Sequence, residues 1–302
     1  MTTMATGPRE LAKRIVRSER TPASVSRAAI GTRNRFRDAT ARWRVLPDFV
    51  IIGVHKGGTT SLYDYLAGHP QVVPALEKEV HYFDRRYDGR PRSYQASFPN
   101  SARMAYVARR HGGAITGEAS PYYISNPHIP RRAAEMIPPA RYIALLRNPV
   151  DRAISAFHHN RSRTPNEPLD SFAEAVEREL TELPDEFDKV LADQHYSDFS
   201  YVWHCYLSRG VYARQLESWF ATVPADRVLV LQSERLGSEP DTVFGEVLEF
   251  LELPEWRPPA FARLNANTYP DVDPGLRAEL VEWFRPHNER LFELIGETYD
   301  WE

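Results

Sequence analysis

Six consecutive residues, Lys56, Gly57, Gly58, Thr59, Thr60 and Ser61, join one positive charge, two positions without side chains and three hydroxyls. They follow the apolar run "FVIIGV" (49 to 54) and lead into the helical pattern "TSLYDYLAG" (60 to 68). The glycines let the backbone approach a ligand and turn its N–H groups inward. A helix N-terminus adds a partial positive charge. The run therefore reads as an anion cradle, with a glycine-rich turn that holds nothing as the plain alternative. The spacing G-x-x-x-x-G-K-[ST] of the common nucleotide-binding loop is absent, because Lys56 precedes both glycines. No strand-terminal Asp offers a second metal contact, since "RVLVLQSERL" ends its strand in Gln and Ser. A donor held without a metal fits better than ATP with magnesium.

A second group lies in "LEKEVHYFD", where Glu79, His81 and Asp84 are acid–base candidates. An ordinary Glu, with a pKa of about 4.3, is a weak base. It becomes effective when partly desolvated and pressed against a hydroxyl. Taken alone, Glu79 reads as a solvated loop carboxylate, and His81 reads as an orienting or charge-tuning group, with ordinary packing as the alternative. Lys78 could meet an acidic acceptor or the donor. A third group is "LLRNPVDRAIS", with Arg147 at the end of a strand and Ser155 about two turns into the next helix. The guanidinium fork suits phosphate, whereas a helix-flanking surface charge is the bland reading of Arg147. The single cysteine, Cys205, excludes an internal disulfide and reads as a small buried side chain.

These groups must be positioned by a scaffold. Apolar runs at 49 to 54, 114 to 120, 141 to 147 and 227 to 232 read as strands. Helical patterns cover 60 to 68, 149 to 161, 211 to 223 and 241 to 253. A closing stretch is helical on both sides of Pro286. Strands separated by helices imply parallel pairing. The fold class is α/β, a P-loop-like central parallel sheet flanked by helices on both faces. Ligands bind beyond the carboxyl ends of such strands, where the 56–61 loop lies. The polar, weakly patterned segment 162–208 reads as an inserted cap over the site.

The 302 residues carry a net charge of -3. Residues 1–46 hold eleven Lys/Arg against Glu10, Glu19 and Asp38, a net +8 that leaves -11 for the rest. Residues 1–46 therefore read as a basic arm, flexible or helical. It is either solvated or a peripheral contact to an acidic membrane surface. The acidic remainder argues against nucleic acid. No run approaches the roughly 20 apolar residues that span a bilayer, and the first residues lack the apolar core of a signal peptide. The expectation is a cytoplasmic protein, with the inner membrane surface as its peripheral contact. The abundance of Arg, Ala and Pro suggests a bacterial source.

"PDFVIIGVHKGGTTSLYDYLAGHPQV" followed by "KEVHYFD" resembles the sulfotransferases that use 3′-phosphoadenosine-5′-phosphosulfate (PAPS), above all the heparan sulfate glucosaminyl 3-O-sulfotransferase and N-sulfotransferase type. The similarity continues through "RNPVDRAISAFHHNR", "RGVYARQLESWF", "RVLVLQSERL" and "YPDVDPGLRAELVEWFRPHNERLFELIGETYDW", so it covers nearly everything from residue 47 onward. It implies a sulfotransferase domain over 47–302, with PAPS as donor co-substrate and no metal. The 5′ end of the donor would lie on Lys56, Gly57, Gly58, Thr59, Thr60 and Ser61, and its 3′-phosphate on Arg147 and Ser155. Tyr212 and Arg263 would add donor contacts. Glu79 would be the general base, Lys56 would stabilise the bridging oxygen, and His81, Asp84 and His159 would assist. The implied acceptor is a hydroxyl of a carbohydrate, glycolipid or glycosylated natural product. Two departures stand out: Ala119 takes the place of a Lys in "GEASPYY", and Arg263 is the one cation left in "FARLNANTYP". The other classes of function open to the residues are a nucleotide-dependent phosphotransferase and a non-catalytic nucleotide- or glycan-binding module.

Overall fold

The computed structural model describes residues 32–162, 167–196, 199–264, 269–270 and 272–301. Its centre is a sheet of β1 (Phe49–Gly53), β2 (Gly117–Ala119), β3 (Arg141–Leu146) and β4 (Val228–Gln232). The order is β2-β1-β3-β4, and every pair is parallel. Each strand falls within an apolar run that the sequence marks as a strand.

Successive strand residues face opposite sides, and this alternation builds two cores. Val50, Ile52, Tyr142, Ala144 and Leu146 face one side. There they meet Leu216 and Trp219 of α3 (Tyr212–Phe220) and Leu291 of α5 (Pro274–Ile295). Phe49, Ile51, Ile143 and Leu145 face the other side. They meet Leu62 and Leu66 of α1 (Thr59–Gly68) together with Phe244 and Leu248 of α4 (Pro240–Phe250). A sheet buried on both faces explains why its strands are continuous apolar runs.

α2 (Pro149–Arg161) leaves the end of β3. Asn148 caps it by accepting hydrogen bonds from the amides of Val150 and Asp151, and Pro149 takes the first turn, where no amide is needed. α5 runs unbroken through Pro286, so the stretches on both sides of that proline are one helix.

The segment expected to be a cap forms helices over Phe172–Glu182, Glu186–Ala192 and Phe199–Trp203. Phe172, Val176 and Tyr206 pack on Phe157 of α2 and Phe284 of α5. Cys205 is buried with Phe187, Val190 and Tyr201. Most of the basic arm, residues 1–31, lies outside the described residues. Residues 32–39 form a helix. Arg37 donates to the carbonyl of Phe98 at 2.7 Å, Arg44 donates to the same carbonyl at 2.9 Å, and Ala41 is buried. Packing therefore begins upstream of Pro47. Among the described residues no helix is long and apolar enough to cross a membrane.

Candidate active site

One cleft of about 670 Å³ opens beyond the carboxyl ends of β1 and β3. It is lined by Lys56, Gly58, Thr59, Thr60, Ser61, Arg147, Ser155 and Arg263, and also by Lys78, Glu79, His81 and His159. Residues far apart in sequence thus share one space.

The cradle end follows from the turn between β1 and α1. Gly58 caps α1 with φ +91°, a left-handed conformation that a side chain would strain. Gly57 is not on the cleft wall. A Cβ there would stand 2.5 Å from the Leu145 carbonyl, so this glycine lets the loop press on β3. The first amides of a helix have no intrahelical acceptors, so those of α1 can receive an anion. Lys56 itself has φ +72°. Arg147 donates to the Lys56 carbonyl at 3.2 Å, which joins the second phosphate candidate to the first. The Ser155 hydroxyl donates to Tyr269 at 3.2 Å, and Tyr269 stacks on His158 at 4.8 Å. The Ser61 hydroxyl accepts from the amide of Leu264 at 2.9 Å, and Tyr65 donates to the carbonyl of Ala262 at 2.9 Å. These two bonds bring Arg263 to the cradle. The cationic and hydroxyl donors around the cradle fit the two phosphates of PAPS, and the exposed Gly58 leaves backbone accessible there.

Tyr212 requires a correction. It is 1% exposed and donates to the carbonyl of Arg147 at 2.8 Å. It supports Arg147 from inside the core and does not line the cleft. The residues "RGVYARQLESWF" carry the family likeness, but its tyrosine faces inward.

In the base loop, His81 lies between two carboxylates. Its Nδ1 is 2.7 Å from Asp84, and its Nε2 is 3.4 Å from Glu79. Lys78 pairs with the other oxygen of Glu79 at 2.7 Å. Burial opposes the His81 charge, but the hydrogen bonds to Asp84 and Glu79 outweigh it and raise the imidazole to about 9. The His81 hydrogen bond, with help from Lys78, overcomes burial and lowers Glu79 to about 2. Glu79 and His81 have φ of +63° and +51°. Left-handed backbone costs a residue with a side chain roughly 1–2 kcal/mol, so the surrounding structure must hold both.

The cleft also contains residues that motif reading passed over: His55, Arg85, Tyr122, Trp203 and Tyr269. His55 stacks on Tyr122 at 4.8 Å and meets His159 edge-on at 5.2 Å. Burial, followed by Arg209, His159, Lys56 and Arg152, holds its imidazole well below the usual histidine range. Tyr122 also lies 5.8 Å from His81 and 6.4 Å from Trp203, so it links the base loop to the segment expected to be a cap. The signal for Tyr122 was its place in "GEASPYY", three residues beyond Ala119. Nothing in the weak pattern around Trp203 singled it out.

The pair of shifts gives a pH signature. The His81 contribution to stability is present below about 6.5 and is lost as pH rises through about 9. The Glu79 contribution is present above about 4.5 and is lost as pH falls towards about 2. The Tm gap between wild type and His81→Asn should therefore be widest between about pH 4.5 and 6.5 and narrow above pH 9. A gap constant from pH 6 to 10 would contradict this charge arrangement.

The site geometry and the fold point to one class of enzyme, and comparison with known proteins agrees. A family model described as "Sulfotransferase domain" matches residues 46–260. The chain is 30% identical over 283 residues to human (Homo sapiens) heparan sulfate glucosamine 3-O-sulfotransferase 6, covering 85% of this chain and 74% of that protein. It is 23% identical over 322 residues to the membrane-associated sulfotransferase kil1 of Dictyostelium discoideum, covering 85% and 67%. A sulfotransferase structure from Alicyclobacillus acidocaldarius superposes with a TM-score of 0.61 at 29% identity, covering 84% of this chain and 98% of that one. The chain belongs to the sulfotransferase family. It is an enzyme of the PAPS-dependent O-sulfotransferase class.

Proposed function

We propose that this cleft moves a sulfonate group from PAPS to a hydroxyl of a carbohydrate, glycolipid or glycosylated natural product, with Glu79 as general base. The observation that carries the reading is that Lys56, Arg147, Glu79 and His81 line one continuous cleft. In this reading the α1 N-terminus, Lys56 and the hydroxyls of Thr59 and Thr60 hold the phosphosulfate end, while Arg147 and Ser155 hold the 3′-phosphate. Arg263 reaches the same end from its loop. PAPS supplies an activated sulfonate whose bond to phosphate breaks as the acceptor oxygen bonds sulfur. Glu79 takes the acceptor proton, and Lys56 meets the negative charge that grows on the bridging oxygen. His81, held by Asp84, keeps Glu79 ionised and oriented, and His159 lines the same cleft beside His55.

We also place the segment 162–208 over the acceptor end, since Ser162 and Trp203 line the cleft there. The relatives named for heparan sulfate support a saccharide acceptor. Ala119, where that family often has a Lys, and the net -11 beyond the arm disfavour heparan sulfate itself.

The test is transfer from PAPS labelled in its sulfonate to a panel of neutral glycans, glycolipids, glycosylated natural products and heparan sulfate. Tandem mass spectrometry would then place the label. The expected result is label on a saccharide hydroxyl of a neutral acceptor. Label on an amine nitrogen, or on heparan sulfate alone, would overturn the acceptor assignment.

A further inference from the structure

The base loop has an unusual support, and it is a single buried carboxyl. Glu118 of β2 is 0% exposed and lies at the centre of the sheet edge facing residues 79–83. One of its oxygens accepts from the amide of Val80 at 3.2 Å and from the hydroxyl of Ser120 at 2.6 Å. The other accepts from the hydroxyls of Tyr94 at 2.7 Å and Tyr123 at 3.1 Å. Two of these partners pass the hold onward. The Ser120 oxygen accepts from the amide of His81 at 3.1 Å. The Tyr123 oxygen accepts from the amides of Tyr82 at 2.8 Å and Phe83 at 3.4 Å. The amide of Glu79 meets the next residue of β2, donating to the Ala119 carbonyl at 3.0 Å.

We infer that Glu118 is the positioning residue of the base loop, fixing four successive amides, Val80 to Phe83, directly or through Ser120 and Tyr123. Glu118 does not line the cleft, so it acts through its neighbours and not on substrate. The need for such a hold is local. Glu79 and His81 both have left-handed backbone, and a loop released from these bonds would relax away from it. His81 would then leave the line between Glu79 and Asp84, and the Glu79 carboxylate would lose its fixed direction. Burial raises the Glu118 carboxyl, while Ser120, Tyr94, Tyr123 and the Val80 amide pull it back. Four donors converging on two oxygens describe a site built for a carboxyl, because an amide in its place would turn donors towards donors.

The catalytic half of this inference rests on Glu79 being the base, so the experiment separates the two. Glu118→Gln is the direct variant, but a buried change can prevent folding. Ser120→Ala removes the link to His81 together with one donor to Glu118, and Tyr123→Phe removes the links to Tyr82 and Phe83 together with another. The first readout is the His81 titration by NMR, which does not depend on the role of Glu79. Its pKa should fall from about 9 towards the ordinary histidine value in both variants. An unchanged titration would overturn the inference. The second readout is single-turnover transfer. Ser120→Ala should slow it by about 10- to 10²-fold, the scale of a small misplacement, with affinity for 3′,5′-adenosine bisphosphate unchanged. Combined with Glu79→Gln it should add nothing further, because a missing base cannot be misplaced. Additive losses in the double variant would overturn the positioning role. A wild-type rate in Glu79→Gln alone would sink the general-base reading, leaving the titration to decide whether Glu118 sets the loop.

Discussion

Glu79→Gln is expected to slow sulfonate transfer by about 10²- to 10⁴-fold, the usual contribution of a general base. Shape is kept, but an amide has one acceptor oxygen where Lys78 and His81 each meet a carboxylate oxygen, so one of those two contacts is lost along with the proton acceptor. Donor binding should stay nearly unchanged, because in the proposed reading the carboxylate meets the acceptor hydroxyl and not the donor phosphates. The low Glu79 pKa, about 2, sets a further condition. So weak a base takes the proton late, once the acceptor oxygen has begun to bond sulfur and its proton has become acidic. Protonation of Glu79 should therefore not limit turnover at any pH well above 2, and the acid limb of the rate profile should lie below the ordinary Glu value near 4.5. Rates measured from pH 4 to 7 should show no inflection from Glu79. An inflection that disappears in Glu79→Gln would show that its pKa is not held down as the geometry implies.

Lys56→Ala is expected to lose both rate and donor affinity. Removing a group that stabilises transition-state charge costs roughly 10²- to 10³-fold in rate. Losing a charged hydrogen bond to phosphate costs about 1.5–3 kcal/mol in binding, which is roughly 10- to 10²-fold. Arg147→Ala should act on the other end of the donor. Wild type should bind 3′,5′-adenosine bisphosphate far more tightly than AMP, and Arg147→Ala should erase most of that preference. The Arg147 guanidinium also donates to the Lys56 carbonyl, so some loss of rate should accompany the loss of selectivity. Isothermal titration of both nucleotides against wild type and the two variants checks this. Equal affinities in the wild type would remove the two-ended donor site.

The scaffold was legible because its strands are buried on both faces. Phe49 to Gly53 and Arg141 to Leu146 are continuous apolar runs for the same reason that they lie at the centre of the sheet. The anion cradle was legible because a tight turn into a helix requires glycine at Gly58, and close packing on β3 requires it at Gly57. Glu79, His81 and Asp84 were legible as a spaced motif, yet their spacing gives no hint that His81 sits between the two acids. That arrangement depends on left-handed backbone at Glu79 and His81, which residue type does not advertise. Glu118 was hidden for a related reason. Within "GEASPYY" it reads as one more strand-end carboxylate, and its role appears only when Tyr94, Ser120 and Tyr123 converge on it. Tyr212 shows the opposite error, a residue inside a shared motif whose hydroxyl is spent on the backbone. Trp203 and Tyr122 reach the cleft from separate parts of the chain, and the first of these is held where its carbonyl accepts from Asn160 of α2 at 2.8 Å.

A base that faces the acceptor and a lysine that faces the donor must divide rate and donor binding between them. The measurement is single-turnover transfer at saturating PAPS for wild type, Glu79→Gln and Lys56→Ala, with titration of 3′,5′-adenosine bisphosphate on the same three proteins. The account predicts that Glu79→Gln loses rate alone, whereas Lys56→Ala loses rate and affinity together. Wild-type turnover in Glu79→Gln, with its donor affinity intact, would contradict it and move the base to another group of the cleft, His81 or His159 first.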